Sequence, residues 1–214
     1  MTDVFERQAA NYDAWYDSDV GQAIFADERA ALEPLLAALP RPWLEIGIGT
    51  GRFAASFGVE VGCDPSLPSL AFARRRQVRV AAARGEALPF PDRTFGAVLI
   101  IATLCFVADP LAVLSEARRV VQPEGGIVLG IIPADGPWGE QYQTLAAQGH
   151  VYYQQAHFVR RPELGVMLQR AGLQKNRTRS ALGWPPRGRP PLTTTAAEGD
   201  NPLAGFLAVL ATPA

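Results

Sequence analysis

Residues 43–54 read WLEIGIGTGRFA. Gly47, Gly49 and Gly51 stand on alternate positions, and Glu45 lies two residues ahead of the first. The apolar run before the glycines predicts a strand over about 43–47, and the run after them predicts a short helix over Arg52–Phe57. Glycines at this spacing let a backbone pass close to a ligand, and three of them exceed what a tight turn needs. A strand, a glycine-rich turn and a helix, in that order, are the opening unit of an alternating α/β chain.

The pattern continues on both sides. Residues 20–38 predict a helix that ends at Leu39-Pro40-Arg41-Pro42. Downstream, Val59–Asp64 predicts a second strand, and Asp64-Pro65-Ser66 caps a helix running to about Arg76. Val78–Ala82 is a short third strand, followed by the polar, proline-punctuated loop GEALPFPDRT over 85–94. The continuous apolar run FGAVLII, Phe95–Ile101, suits a central parallel strand buried on both faces. Asp109-Pro110 opens a helix to about Val121 that stops before Pro123-Glu124-Gly125-Gly126, and Ile127–Ile132 is the next strand. Pro162–Ala171 predicts a helix ended by Gly172, and strands are expected over about 173–181 and 205–212. The proline- and glycine-rich residues 183–202 between them predict a long loop rather than a second domain. Strands and helices alternating over 43–132 give the fold class: α/β, a doubly wound, mostly parallel sheet covered on both faces.

The 214 residues suffice for one domain with a packed core. A formal net charge of −1 supplies no general attraction to a phosphate backbone, so nucleic acid is not an expected partner. Cys63 and Cys105 lie in separate segments without metal-like spacing, which points to free thiols in a reducing cytoplasm and to no metal site. The opening residues MTDVFERQAANYD hold no signal-peptide core, and no run approaches a membrane span, so no membrane partner is expected.

Two ligand classes fit the glycine stretch. Gly49-Thr50-Gly51-Arg52-Phe53-Ala54 matches the dinucleotide pattern G-x-G-x-x-A, with Asp64 near the place of its ribose-binding acid. On that reading the chain is a nicotinamide-dependent oxidoreductase. Glu45 opposes it, because a carboxylate beside the loop repels a pyrophosphate. S-adenosylmethionine, with a sulfonium and an ammonium against one carboxylate, suits that acid, and the glycine backbone can receive its carboxylate. A carboxylate that only caps local amides is the simpler alternative for Glu45. Asp64 can accept both ribose hydroxyls, or serve only as a helix cap. Glu86 can accept from an adenine amino group while Ala87 and Leu88 pack on the ring, or can simply be solvated.

The ordered set EIGIGTGRF, GCDPS, GEALPFPDRTFGAVLI and LAVLSEARRVVQPEGGIVLGI resembles the class I S-adenosylmethionine-dependent methyltransferases, above all the small-molecule group that includes ubiquinone/menaquinone-biosynthesis-type enzymes. The resemblance covers 43–132 well and the flanks loosely. It implies a Rossmann-like seven-stranded sheet whose last strand is antiparallel and inserted between the fifth and sixth. It implies cofactor contacts from Glu45, Gly47, Gly49, Gly51, Asp64, Glu86 and Ala87, to which Tyr16, Pro65, Ser66, Leu88 and Thr103 are added as neighbours of the same crevice. The helix over Arg52–Phe57 is short for the family. The expected organisation is a single methyltransferase domain over 1–214: a helical lid segment at 1–42, the cofactor-binding core at 43–132, and acceptor-side helices and last strands at 133–214.

The acceptor pocket is expected beyond the fourth strand, near Ala102–Phe106. The Asp/Asn-Pro-Pro-aromatic stretch of DNA amino-methyltransferases is missing there, which favours a small acceptor methylated on O, N or S. Catalysis by alignment alone needs few catalytic residues. His157, in YYQQAHF, is the general-base candidate because its ordinary pKa lies near neutrality; a structural hydrogen-bonding role is its alternative. Cys105 suggests thiol chemistry or plain packing. Tyr12, Trp15 and Tyr16 share one face of a helix, either as a lid over the cofactor or as packing against the sheet. A binding module that kept the fold without catalysis is the remaining alternative.

Overall fold

A computed structural model describes residues 3–214. The first two residues of the expected lid segment lie outside the described residues.

The architecture grows from its middle strand. β4 (Phe95–Ile101) is buried along its whole length, as a strand with helices on both faces must be. It pairs in parallel with β1 (Trp43–Ile46) on one side and β5 (Val121–Ile131) on the other. Beyond β1 come β2 (Val61–Asp64) and then β3 (Arg79–Ala82), also parallel. Beyond β5, β8 (Phe206–Pro213) runs antiparallel, followed by β6 (Leu173–Ala181) and a two-residue edge strand β7 (Ala197–Glu198). The order β3-β2-β1-β4-β5-β8-β6-β7 contains the seven expected strands, with the last long one inserted between the fifth and sixth. β7 makes an eighth, which the proline-rich 183–202 stretch obscures in the sequence.

Strand alternation sorts the core into two layers. Leu44, Ile46, Val98 and Ile100 face a layer closed by α5 (Pro110–Val120) and α7 (Arg161–Arg170). Trp43, Ala97, Leu99 and Ile101 face the opposite layer. That layer is closed by α2 (Asp19–Leu36), α3 (Arg52–Phe57), α4 (Leu67–Arg75) and α6 (Pro137–Ala147). α1 (Asp3–Trp15) lies over the end of this second layer, with Val4 and Ala9 buried. The caps are chemical: Ser18 accepts from the Gly21 amide, Ser66 from Ser69, and Asp109 from Ala112 with Pro110 at the first helical position.

Two differences from the sequence-based expectation have local causes. β5 begins at Val121, directly at the end of α5. Pro123–Gly125 bulge out of it, so that Phe95 pairs with Val121 and Ala97 with Gly126. The predicted boundary at Ile127 marks the end of that bulge. α6 is not announced by the sequence because PWGEQYQTLAA lacks a regular apolar stripe; its fold depends on one anchor, Trp138, which is buried and donates to the Trp184 carbonyl.

Chain order reverses direction at the middle of the sheet. From β1 the chain moves outward through β2 and β3, then returns to β4 and moves the other way. The crevice between the carboxyl ends of β1 and β4 is therefore the topological switch point, where α/β sheets hold ligands.

Candidate active site

The glycine turn opens that crevice. The amides of Gly47 and Ile48 both donate to the Cys63 carbonyl, at 2.8 and 3.0 Å, which fastens the turn to the end of β2. Gly47 has φ +70°, and a Cβ there would collide with the Thr103 side chain, whose hydroxyl donates to the Gly47 carbonyl at 3.3 Å. Gly49 has φ +52° and nothing within 4 Å of the position a Cβ would take, so space stands open above its backbone. Gly51 does neither job: it allows α3 to pack on Ala73 of α4.

Two adjoining cavities follow. The larger, about 890 Å³ including its open mouth, runs from the turn past Asp64, Pro65, Ser66 and Glu86 to Thr103. Phe5, Tyr12, Phe106 and Val107 close its other end. The smaller, about 330 Å³, lies under the turn between Glu45, Tyr16, Arg52 and Phe53. Tyr12, Gly47, Gly49, Ile101 and Ala102 line both, which makes them two halves of one cleft.

Glu45 is only 2% exposed, and its Oε2 atom is buried with no hydrogen-bond partner. Burial raises its carboxyl well above the usual range; the Ala54 amide opposes the rise and the nearby Asp64 carboxylate adds to it. Asp64 accepts from the Gly49 amide at 3.0 Å and from the Ser66 amide at 2.8 Å, one bond per oxygen, so each oxygen retains a lone pair. Burial raises its carboxyl too, against those two amides. The cap of α4 is Ser66, which relieves Asp64 of that task. Glu86 Oε1 accepts from the Ala108 amide at 3.0 Å and the Arg84 guanidinium at 3.3 Å. Burial pushes Glu86 upward, but those bonds and its own amide outweigh it, leaving an ionised acceptor.

The helix α1 forms the wall opposite the sheet. Asp13 bonds Arg52 at 3.0 Å and Arg76 at 3.0 Å, and Asp17 bonds Arg52 at 2.8 Å. Phe5 packs edge-on against Phe106, with centroids 5.0 Å apart, and stacks on Tyr152 at 5.8 Å. The hydroxyls of Tyr12 and Tyr16 lie 3.2 Å apart. Of the three aromatics expected on one face, Tyr12 and Tyr16 line the cleft, whereas Trp15 is 40% exposed.

Tyr16, Glu45, Gly47, Gly49, Asp64, Pro65, Ser66, Glu86 and Thr103 thus converge on the cleft. Gly51, Ala87, Leu88 and His157 do not line it. Ala87 is exposed; Leu88 is a core residue whose amide donates to Glu116 at 2.7 Å. His157 is solvent-exposed and meets the acceptor-side segment only through its amide, which donates to the Cys105 carbonyl at 2.7 Å. The position therefore does not bring the imidazole to the reacting space. Burial pushes the Cys105 thiol up to about 12, so it stays protonated and packs. Phe5, Arg84 and Val107 also line the cleft, although no motif in the sequence marks them, as do Arg52 of the glycine motif and Ala102 of the segment expected beside the acceptor. Only Ala102 carries a special conformation, φ +49°, a strained state for a residue with a Cβ, and no sequence signal announces it.

Comparison with known proteins agrees with this geometry. The family model for "Methyltransferase domain" matches residues 44–129. A solved chain from Thermotoga maritima, described as a SAM-dependent methyltransferase and "possible histamine N-methyltransferase", superposes with a TM-score of 0.89 at 29% identity, covering 99% of this chain and 98% of that one. An uncharacterized protein of Mycobacterium tuberculosis is 47% identical over 96% of this chain and 72% of its own length. A demethylmenaquinone methyltransferase of Thermus thermophilus is 35% identical over 54% of this chain and 59% of its own. These matches set aside the dinucleotide reading of the glycine turn.

Proposed function

The chain belongs to the class I S-adenosylmethionine-dependent methyltransferases, and from that premise we propose that it methylates a small-molecule acceptor. When bound, the cofactor supplies an activated methyl group together with its leaving group. The residues present fit it. The partnerless Glu45 Oε2 offers an acceptor for the ammonium group, and the open space over Gly49 receives the amino-acid tail against backbone. Asp64 has lone pairs left for ribose hydroxyls, and the ionised Glu86 has capacity for the adenine amino group.

The observation that carries a small acceptor is the position of α1. Its aromatic residues, Phe5 and Tyr12, line the cleft together with Phe106, so an acceptor seated beside α1 meets a ring-lined wall. Exclusion of water and alignment are what that wall contributes to a displacement reaction. The net charge of −1 supports a role without nucleic acid, and the free thiols of Cys63 and Cys105 support the cytoplasm as the compartment. The test is turnover of S-adenosylmethionine to S-adenosylhomocysteine against a panel of small amines, phenols, quinols and thiols. Stimulation by at least one class is expected. Turnover only with a protein or nucleic acid acceptor would overturn the proposal.

A further inference from the structure

The two halves of the cleft share Tyr12, Gly47, Gly49, Ile101 and Ala102. Glu45 and Arg52 line only the smaller half, and Asp64, Ser66 and Glu86 only the larger one. The shared residues therefore mark the joint between the halves. Most of that joint is backbone or hydrocarbon. Gly47 and Gly49 have no side chain, and Ile101 and Ala102 offer only aliphatic surface. Ala102 is held there at φ +49°, against the steric preference of a residue with a Cβ. Tyr12 is the one shared residue with an electron-rich side chain.

The covalent order of S-adenosylmethionine is fixed: the sulfonium stands between the amino-acid tail and the ribose. A tail against Glu45 in one half and a ribose against Asp64 in the other put the sulfonium at the joint. A cation there gains from a neighbouring aromatic ring, and the neutral thioether that remains after methyl transfer does not.

Tyr12 is held firmly in this position. Its ring meets those of Phe5, Tyr16 and Tyr152 edge-on, with centroids 5.7, 5.5 and 5.8 Å away, and its hydroxyl lies 3.2 Å from that of Tyr16. The adjacent Asp13 bonds Arg52, at the start of α3, and Arg76, each at 3.0 Å. Arg76 also donates to the Thr50 carbonyl, inside the glycine turn, at 2.9 Å. The ring is thus tied to the same turn that would receive the tail, so little ordering is left for the moment of binding.

We propose that Tyr12 is the sulfonium-facing residue of the cleft, and that its ring makes the site favour the charged methyl donor over the neutral product. The proposal rests on the methyltransferase reading of the cleft and on the places given above to the tail and the ribose. Phe5 and Phe106 line only the larger half, so their rings do not share this role.

The experiment is calorimetry of S-adenosylmethionine and of S-adenosylhomocysteine, without acceptor, on the wild type and its variants. The readout is the ratio of the two affinities. Tyr12→Leu is expected to lower S-adenosylmethionine affinity about fivefold or more, the scale of a desolvated cation–π contact, while S-adenosylhomocysteine affinity stays within about twofold. Phe5→Leu is expected to leave the ratio as it is. A second series preserves the packing: Tyr12→Phe, then the same position carrying mono-, di- and trifluorinated phenylalanine, in which fluorine withdraws electron density from a ring of nearly constant shape. The ratio is expected to fall stepwise along that series. A ratio that stays flat along it, equal weakening of both ligands in Tyr12→Leu, or a shift in Phe5→Leu as large as that in Tyr12→Leu overturns the assignment to Tyr12. Failure of the wild type to bind either ligand overturns the methyltransferase reading instead.

Discussion

Glu45 and Glu28 are both buried carboxyls whose ionisation the fold disfavours, but only Glu45 lines the cleft. Glu45 is legible in the sequence itself, because an acid two residues ahead of a glycine turn suits a cationic ligand and repels an anionic one. Replacing it separates charge from shape. Glu45→Gln is expected to weaken S-adenosylmethionine binding by about 1–3 kcal/mol, and more than Glu45→Asp does, since the aspartate keeps the charge. Equal affinities by calorimetry would contradict the charge argument. Glu28 is invisible in the sequence: a glutamate in the middle of an amphipathic helix usually marks its solvated face, yet here it is buried on α2, which packs against β5, β6 and β8. Its folded-state carboxyl, raised to about 8, lies above the ordinary value of 4.5 that the unfolded chain retains. Folding therefore favours the protonated form. Relative to Glu28→Gln, the wild type is level below the unfolded value and loses stability as pH rises toward the folded value. Denaturation of both proteins without ligand at pH 5, 6.5 and 8 is expected to show the variant gaining roughly 2–4 kcal/mol across the series, at about 1.4 kcal/mol for each pH unit between the two values. A gap that does not change with pH would contradict a buried proton at Glu28.

At the scale of elements, α1 decides how the cleft is closed. Its docking depends on Asp13, whose side chain is 11% exposed and is shared by Arg52 and Arg76. Burial alone would raise that carboxyl, but the hydrogen bonds from Arg52 and Arg76 outweigh it and hold it below the usual range. Its contribution is present above the ordinary carboxylate pKa and is lost as pH falls through the lowered one. Asp13→Asn is expected to cost about 1–3 kcal/mol, because it leaves two part-buried guanidinium groups short of a counter-charge. Faster amide exchange over residues 4–16, with the β4 amides unaffected, would locate the loss in α1; uniform exchange across the sheet would show that α1 is not a separable cover. The aromatic spacing of Tyr12, Trp15 and Tyr16 correctly signals a helix here, but not that the chain turns after Trp15 and directs that ring outward. α6 gives no signal because a single anchoring tryptophan makes no periodicity. His157 draws notice by residue type and by its place in the segment after the fifth strand, and neither reports on which side of a loop a ring emerges.

Over the whole molecule, the sheet order is readable because parallel strands buried on both faces leave continuous apolar runs, and β4 is the clearest of them. The antiparallel insertion of β8 comes from family resemblance, since no local pattern in FLAVLATP fixes its direction. The cofactor half of the cleft is legible because backbone turns and strand ends close together in sequence make it up. The other end of the cleft is not, because it is assembled from α1 and the segment after β4, and only their packing brings Phe5, Tyr12 and Phe106 together. The claim on which both halves depend is that a cationic amino-acid tail lies against Glu45 while a ribose lies against Asp64. A crystal structure of the complex with S-adenosylhomocysteine tests it most directly. The account predicts the amino group at Glu45 and the ribose hydroxyls within hydrogen-bonding distance of the Asp64 oxygens; the nucleoside lying elsewhere, or either carboxylate turned away from it, would contradict the account.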